Sequence, residues 1–200
     1  MGQLTKSSNL LPSAMVTFDR KKIKRRIKPS KNFFLSLAGS IIYQQISTKA
    51  GDAIYARFIK LFGRKKPTPD NFLSISEVNL RSVGLSTQKI SYLVDLASKF
   101  IDKTIDPKLI PKMGDDDVKE HLIRVKGIGP WTADMFLIFA LNRPNILPVG
   151  DLGIKKGFKK VFGLKMLPSE KKMRILAKSN EGEHTYLSLY LWESINGDKN

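Results

Sequence analysis

Apolar residues recur at steps of three and four along most of the chain. Phe33, Phe34, Leu37, Ala38, Ile41 and Ile42 trace one stripe, and Ala50, Ala53, Ile54, Phe58 and Leu61 a second that runs to Gly63. At 3.6 residues per turn such steps gather the apolar side chains on one face, so both segments are predicted helices. Pro29 and Ser30 read as the start of the first, with the Ser30 hydroxyl placed to accept from an early amide. Pro67 to Asp70 is a predicted loop leading into a short helix, with Asp70 as its cap. Gly84 ends a further helix and Ser86 caps the next, whose stripe is Ile90, Leu93, Val94, Ala97 and Phe100. Asp115, Asp116 and Asp117 stand at a helix start, where the macrodipole favours acids, and Leu122 and Val125 carry the buried face onward. An apolar run follows from Met135 to Leu141. Later helices are predicted over Leu152 to Val161, after Ser169, and from about Glu183 to Ile195. No segment of useful length alternates with period two, and neither a repeat nor a heptad array is present. The predicted class is all-α, with about ten short helices.

Charge adds a partner to this picture. Thirty-five Lys and Arg against 18 Asp and Glu give a formal charge of +17, which points to a polyanion or to an unusually basic solvated surface. Seven cations fall between Arg20 and Lys28, so residues 1–28 read as a basic arm, suited to nuclear import or to a phosphate backbone, or simply solvated. Cysteine is absent, which excludes disulfides, a cysteine nucleophile and Cys-held metal or iron–sulfur centres. No apolar run approaches a membrane span, and no secretion signal opens the chain. A protein of the nucleus or cytoplasm, away from membranes, is expected.

Candidate chemistry concentrates between Val125 and Asp151. The run Val125-Lys126-Gly127-Ile128-Gly129-Pro130-Trp131-Thr132-Ala133 places two glycines one residue apart before a helix, a turn that leaves amides uncovered for a phosphate. Trp131, in the first turn of that helix, suits either the core or a pocket wall. Asp151 is a lone carboxylate after Pro148-Val149-Gly150, placed either to cap the next helix or to do chemistry. The polar break Tyr43-Gln44-Gln45-Ile46-Ser47 between two apolar helices is either an ordinary helix end or a loop for a minor groove, with amides to read acceptors and a side chain to wedge between bases. Lys155, Lys156, Lys159 and Lys160 make one helix face strongly basic. The three acids at 115–117 read as a helix start, since nothing nearby completes a coordination set, and no metal site of side chains is expected.

In four ordered blocks the chain resembles the helix-hairpin-helix, Gly/Pro-Asp superfamily of DNA glycosylases, in particular the 3-methyladenine (alkylbase) glycosylases. The blocks are Tyr43 to Ser47, Val83-Gly84-Leu85-Ser86, Val125 to Ala133, and Pro148 to Gly157, and the likeness runs from about Asn32 to Trp192. It implies a domain over 29–200, split into a middle helical subdomain at about 37–147 and a second formed by about 29–36 plus 148–200, with a DNA cleft between them. It implies a monomer that acts on damaged double-stranded DNA, flips an alkylated purine out of the duplex and hydrolyses its N-glycosidic bond, with Asp151 at the catalytic position. The hairpin residues Lys126, Gly127, Ile128, Gly129, Trp131 and Thr132 would grip a backbone phosphate. No cofactor is implied beyond a monovalent cation held by hairpin carbonyls. Gln44, Gln45, Ile46 and Ser47 would form the minor-groove wedge loop, with Gln45 the wedge. Tyr43, Trp131 and Met135 would line the base pocket, and Ser86, Lys89, Lys155 and Lys156 would touch the backbone. Relatives that nick the strand carry a lysine nucleophile where Trp131 stands, so the resemblance implies no lyase step. The sequence departs from the subgroup at Asn180 to Thr185, where a Trp-x-Pro-Tyr-Arg-Ser run is common, although Tyr190-Leu191-Trp192 is retained. That departure leaves a second reading, a weakly active or non-catalytic binder of abasic or distorted DNA.

Overall fold

Side-chain caps set where most helices begin. The computed structural model describes residue 27 and residues 29–196, and among these it holds ten α-helices and no strand. The cationic arm predicted for residues 1–28 lies, apart from Ile27, outside the described residues. Helix α1 (Phe33–Tyr43) is capped by Asn32, whose side-chain oxygen accepts from the Leu35 amide at 2.9 Å. The predicted cap, Ser30, stands two residues too early to reach a first-turn amide. Its hydroxyl accepts instead from the Asn32 amide and from the Ser36 hydroxyl. Ser47 caps α2 (Thr48–Lys60), and the turn bonds that follow carry the chain to Gly63, three residues past the helix. At α3 (Pro69–Leu73) the cap is Thr68, with Pro69 in the first position and Asp70 inside the first turn rather than before it. Helix α4 (Glu77–Ser82) and helix α5 (Thr87–Ile101) are capped by Ser76 and, as the sequence predicts, by Ser86. The three acids occupy the first turn of α6 (Asp115–Leu122). Then come α7 (Pro130–Phe139), α8 (Leu152–Val161), α9 (Glu170–Ala177), capped by Ser169, and α10 (His184–Asn196).

The helices form two units. Pro29–Leu141 makes one, and Asn142 onward belongs to the other. This differs from the expected grouping of 29–36 with the C-terminal residues and of 142–147 with the middle ones. The reason lies in the first helix turn: Phe33 packs edge-on to Phe136 at 5.4 Å, Phe34 packs on Phe72 and Phe100, and the Ser30 amide donates to the Ala140 carbonyl at 2.9 Å. Asn142, at φ +53°, turns the chain at the boundary in a conformation that asparagine tolerates better than most residues. Leu37, Ile41, Phe58, Phe72, Leu93, Leu96, Leu122 and Leu137 complete a core with almost no solvent exposure. Beneath α6 and α7, Lys119 and Asp134 form an ion pair of 2.8 Å that neutralises a carboxylate in a mostly buried position.

In the second unit Leu147, Ile154, Phe158, Met173, Ala177, Leu187 and Leu191 are buried together. Helices α8 and α10 approach closely because α8 carries glycine where it meets Leu191. A Cβ at position 157 would lie 2.7 Å from both Cβ and the carbonyl oxygen of Leu191. Gly157→Ala is therefore expected to destabilise the chain by about 1–3 kcal/mol, the usual cost of overpacking, read as a lower urea midpoint. An unchanged midpoint would show that α10 can move away freely.

Candidate functional site

The hairpin of the 29–141 unit is shaped by what lies behind it. After α6 the Val125 amide bonds to the Leu122 carbonyl and the Ile128 amide to the Val125 carbonyl, both at 3.0 Å, closing a tight turn. Gly127 sits at φ +80°, and a Cβ there would be 2.1 Å from the Tyr92 ring, so both backbone angle and space demand glycine. The Lys126 amide donates to an Asp95 carboxylate oxygen at 2.8 Å, and the Ile128 side chain is buried, so the turn is fastened to α5 and to the core. Gly129 is different. Its φ is −100° and nothing lies within 4 Å of where its Cβ would be. It precedes α7 without a side-chain cap, at a helix start whose dipole suits an anion.

Beside this hairpin is a groove of about 1070 Å³ within the same unit. It gathers many of the residues singled out from sequence: Tyr43, Gln44, Gln45, Ile46, Ser86, Lys89, Gly127, Trp131, Thr132 and Met135 all line it. Trp131 is 47% exposed, so it is a wall and not core. Lys126, Ile128, Gly129 and Ser47 do not line the groove, and the Ser47 hydroxyl is engaged as the α2 cap. Several side chains already have partners. Gln44 Nε2 donates to the Gly127 carbonyl at 2.8 Å, and Lys89 Nζ donates to the Ile42 carbonyl at 2.6 Å, where burial also lowers the lysine pKa. Tyr43 donates its hydroxyl to Asp52 at 2.5 Å, and that bond is the main cause of its raised pKa. Gln45 is exposed, with φ at +56°. Phe139 and Tyr92 also line the groove and carry no mark in the motif blocks. Phe139 was within reach of sequence reasoning, because Trp131, Met135 and Phe139 follow one another at steps of four on a single face of α7. Tyr92 was not, since only contact with Gly127, 35 residues away, reveals its place.

Asp151 belongs to the other unit. Amide bonds from Val149 to Leu147 and from Asp151 to Pro148 fold the approach into a tight turn. Its Oδ1 accepts from the Ile154 amide at 2.8 Å, capping α8, and also from the Trp192 indole Nε1 at 2.9 Å. The two donors, one from each helix, fix the orientation of the carboxylate, so the cap is part of how this group is aimed. Gly153 makes room for the indole, because a Cβ there would lie 2.9 Å from both Asp151 Oδ1 and Trp192 Cδ1. Lys155 is half-buried and Lys156 and Lys159 are exposed on α8, whereas Lys160 donates to the Ser194 carbonyl at 2.7 Å. The departing segment 180–185 is a polar staple. Thr185 donates to the Arg143 carbonyl at 2.6 Å and accepts from the Ile146 amide, while the Asn145 side chain accepts from the Gly182 amide.

A helical chain with a glycine hairpin ahead of a helix, followed at a short distance in sequence by a capped aspartate, defines the helix-hairpin-helix class of base-excision proteins. Residues 38–180 match the model of the HhH-GPD superfamily base excision DNA repair proteins, and the chain belongs to that family. It is 31% identical over 173 residues to DNA-3-methyladenine glycosylase 1 of Schizosaccharomyces pombe, covering 84% of this chain and 75% of that one. A Bacillus subtilis relative, provisionally named DNA-3-methyladenine glycosylase YfjP, is 34% identical over 78% of this chain, which spans only 56% of that relative's length. Among solved structures, the 3-methyladenine DNA glycosylase Mag1 of Schizosaccharomyces pombe, in complex with abasic DNA, superposes with a TM-score of 0.78. The match has 25% identity and covers 96% of this chain and 93% of that one.

Proposed function

We propose that the chain is a monofunctional DNA glycosylase of base excision repair. It flips an alkylated purine out of damaged double-stranded DNA and hydrolyses the N-glycosidic bond with Asp151, leaving an abasic site. The observation that carries this reading is the Asp151 carboxylate, held by the Ile154 amide and the Trp192 indole in a chain whose relatives bear 3-methyladenine glycosylase names. Alkylation at a purine ring nitrogen makes the base cationic. When the C1′–N bond breaks, the bonding pair leaves with the base, neutralises it, and leaves positive charge on the sugar. A fixed carboxylate stabilises that charge, and water adds at C1′ and gives up a proton.

The hairpin amides around Gly127 to Thr132 hold a backbone phosphate, and hairpin carbonyls would hold a monovalent cation that offsets part of its charge. Tyr43, Trp131 and Met135 offer aromatic and soft faces to the base, Gln45 and Ile46 fill the vacated stack, and Ser86, Lys155 and Lys156 contact the backbone. Trp131 has no amine, so no Schiff base forms at that position and the strand is not nicked there. The protein works as a monomer in the compartment that holds DNA, the nucleus in a nucleated cell.

A second reading, a non-catalytic binder of abasic or distorted DNA, is favoured by one observation: residues 180–185 are engaged in hydrogen bonds to residues 143–146. Free base measured after incubation with duplexes containing 3-methyladenine, 7-methylguanine or ethenoadenine separates the two. Release from any of them establishes the enzyme, and tight binding with no release from all three removes it. Trp192→Phe keeps the bulk at Gly153 but deletes the donor to Asp151, and is expected to slow release about tenfold, the scale of one charge-assisted hydrogen bond. A wild-type rate in that variant would show that the cap alone aims the carboxylate.

A further inference from the structure

Gln45 is held in a backbone conformation that a side chain resists. Its φ of +56° lies in the left-handed region, a strain that neighbouring contacts must offset. The residue just before it, Gln44, is tied across the fold. That side chain is half-buried, and its Nε2 donates at 2.8 Å to the carbonyl of Gly127, 83 residues further along. Gly127 itself packs closely against Tyr92, at φ +80° with no space for a Cβ. A second tie comes from α5, where Lys89 donates to the Ile42 carbonyl at the end of α1. The segment leading into Gln45 is thus fastened twice, at Ile42 to α5 and at Gln44 to the hairpin itself.

We propose that Gln44 is a positioning residue that couples the phosphate-gripping hairpin to the gap-filling loop, so that docking of Gly127 to Thr132 on the backbone sets the reach of Gln45. The inference rests on the DNA-binding role proposed above for both segments. It also removes Gln44 from the set of groove-reading amides, because its donor is already spent on Gly127. The chemistry required is narrow: a neutral donor with the reach of glutamine. Methionine has the length without the donor, and glutamate would set a carboxylate against a carbonyl oxygen.

The test uses a duplex with a tetrahydrofuran abasic analogue opposite 2-aminopurine, whose fluorescence reports insertion of a side chain into the stack, and an undamaged duplex of the same sequence. Wild type is expected to prefer the abasic duplex and to change the fluorescence at saturation. Gln44→Met is expected to lose about tenfold of the abasic preference, read as the ratio of its affinities for the two duplexes, the scale of one lost hydrogen bond. Most of the fluorescence response should go with it, as in Gln45→Ala. Gln44→Glu is expected to do the same and serves if the methionine variant does not fold. A wild-type fluorescence response in a folded variant overturns the coupling. So does an equal loss of affinity for both duplexes, which would mean that Gln44 merely holds the hairpin together. A wild-type protein with no preference for the abasic duplex overturns the DNA-binding reading itself, and is recognised without any variant.

Discussion

Asp151→Asn is expected to lower base release at least about a hundredfold, the loss seen when a group that stabilises transition-state charge is removed from a preorganised site. The substitution is chosen because it changes little else. Asparagine caps a helix about as well as aspartate, and its side-chain oxygen can still accept from the Ile154 amide and from the Trp192 indole. Thermal midpoint and affinity for undamaged duplex should therefore stay near those of wild type. In the proposed reaction, what the variant loses is the negative charge that stabilises the developing cation on the sugar. Single-turnover release from a 3-methyladenine duplex gives the number. A variant that keeps more than about a tenth of the wild-type rate would show that the carboxylate serves α8 as a cap and the chemistry hardly at all.

The two hairpin glycines should separate folding from binding. Gly129→Ala puts a methyl group where nothing lies within 4 Å, at an ordinary φ of −100°, so the thermal midpoint should not move. A phosphate brought against the uncapped start of α7 would meet that methyl, and losing one charge-assisted contact should weaken duplex affinity about tenfold to a hundredfold. Gly127→Ala forces a side chain into the left-handed region and into the Tyr92 ring, at 2.1 Å. It should cost about 2–4 kcal/mol of stability, combining backbone strain and overpacking, and lose affinity as well. Thermal melts and anisotropy titrations on both variants read the contrast. Equal affinity of Gly129→Ala and wild type would remove the phosphate from this end of the hairpin.

Much of the candidate site was legible because it is local. A Gly-x-Gly turn ahead of a helix, a serine three residues before the amide it caps, and an aspartate just before α8 are each decided within a few residues. The hairpin, the Ser86 and Ser169 caps and the Asp151 turn accordingly stand where the chain predicts them. Near misses were of the same local kind. Ser30 and Asp70 were the right sort of residue, each displaced by two positions from Asn32 and Thr68, because a cap works only at a single step from the first-turn amide.

Contacts between distant residues were a different matter. The sequence suited Trp131 to core or wall alike, and only the packing around α7 leaves it 47% exposed in a groove. Gln44 reads as one of a pair of polar amides, yet its partner is 83 residues away. Trp192 reads only as the end of the retained Tyr190-Leu191-Trp192 run until the small side of α8 at Gly153 lets its indole reach Asp151. The chain alone determined the helices, their class, and the identity of the hairpin and the aspartate, because period, caps and turns depend on neighbours in sequence. Which side chains face the groove, and which are already spent holding it in shape, depends on neighbours in space, and the tertiary structure decided those.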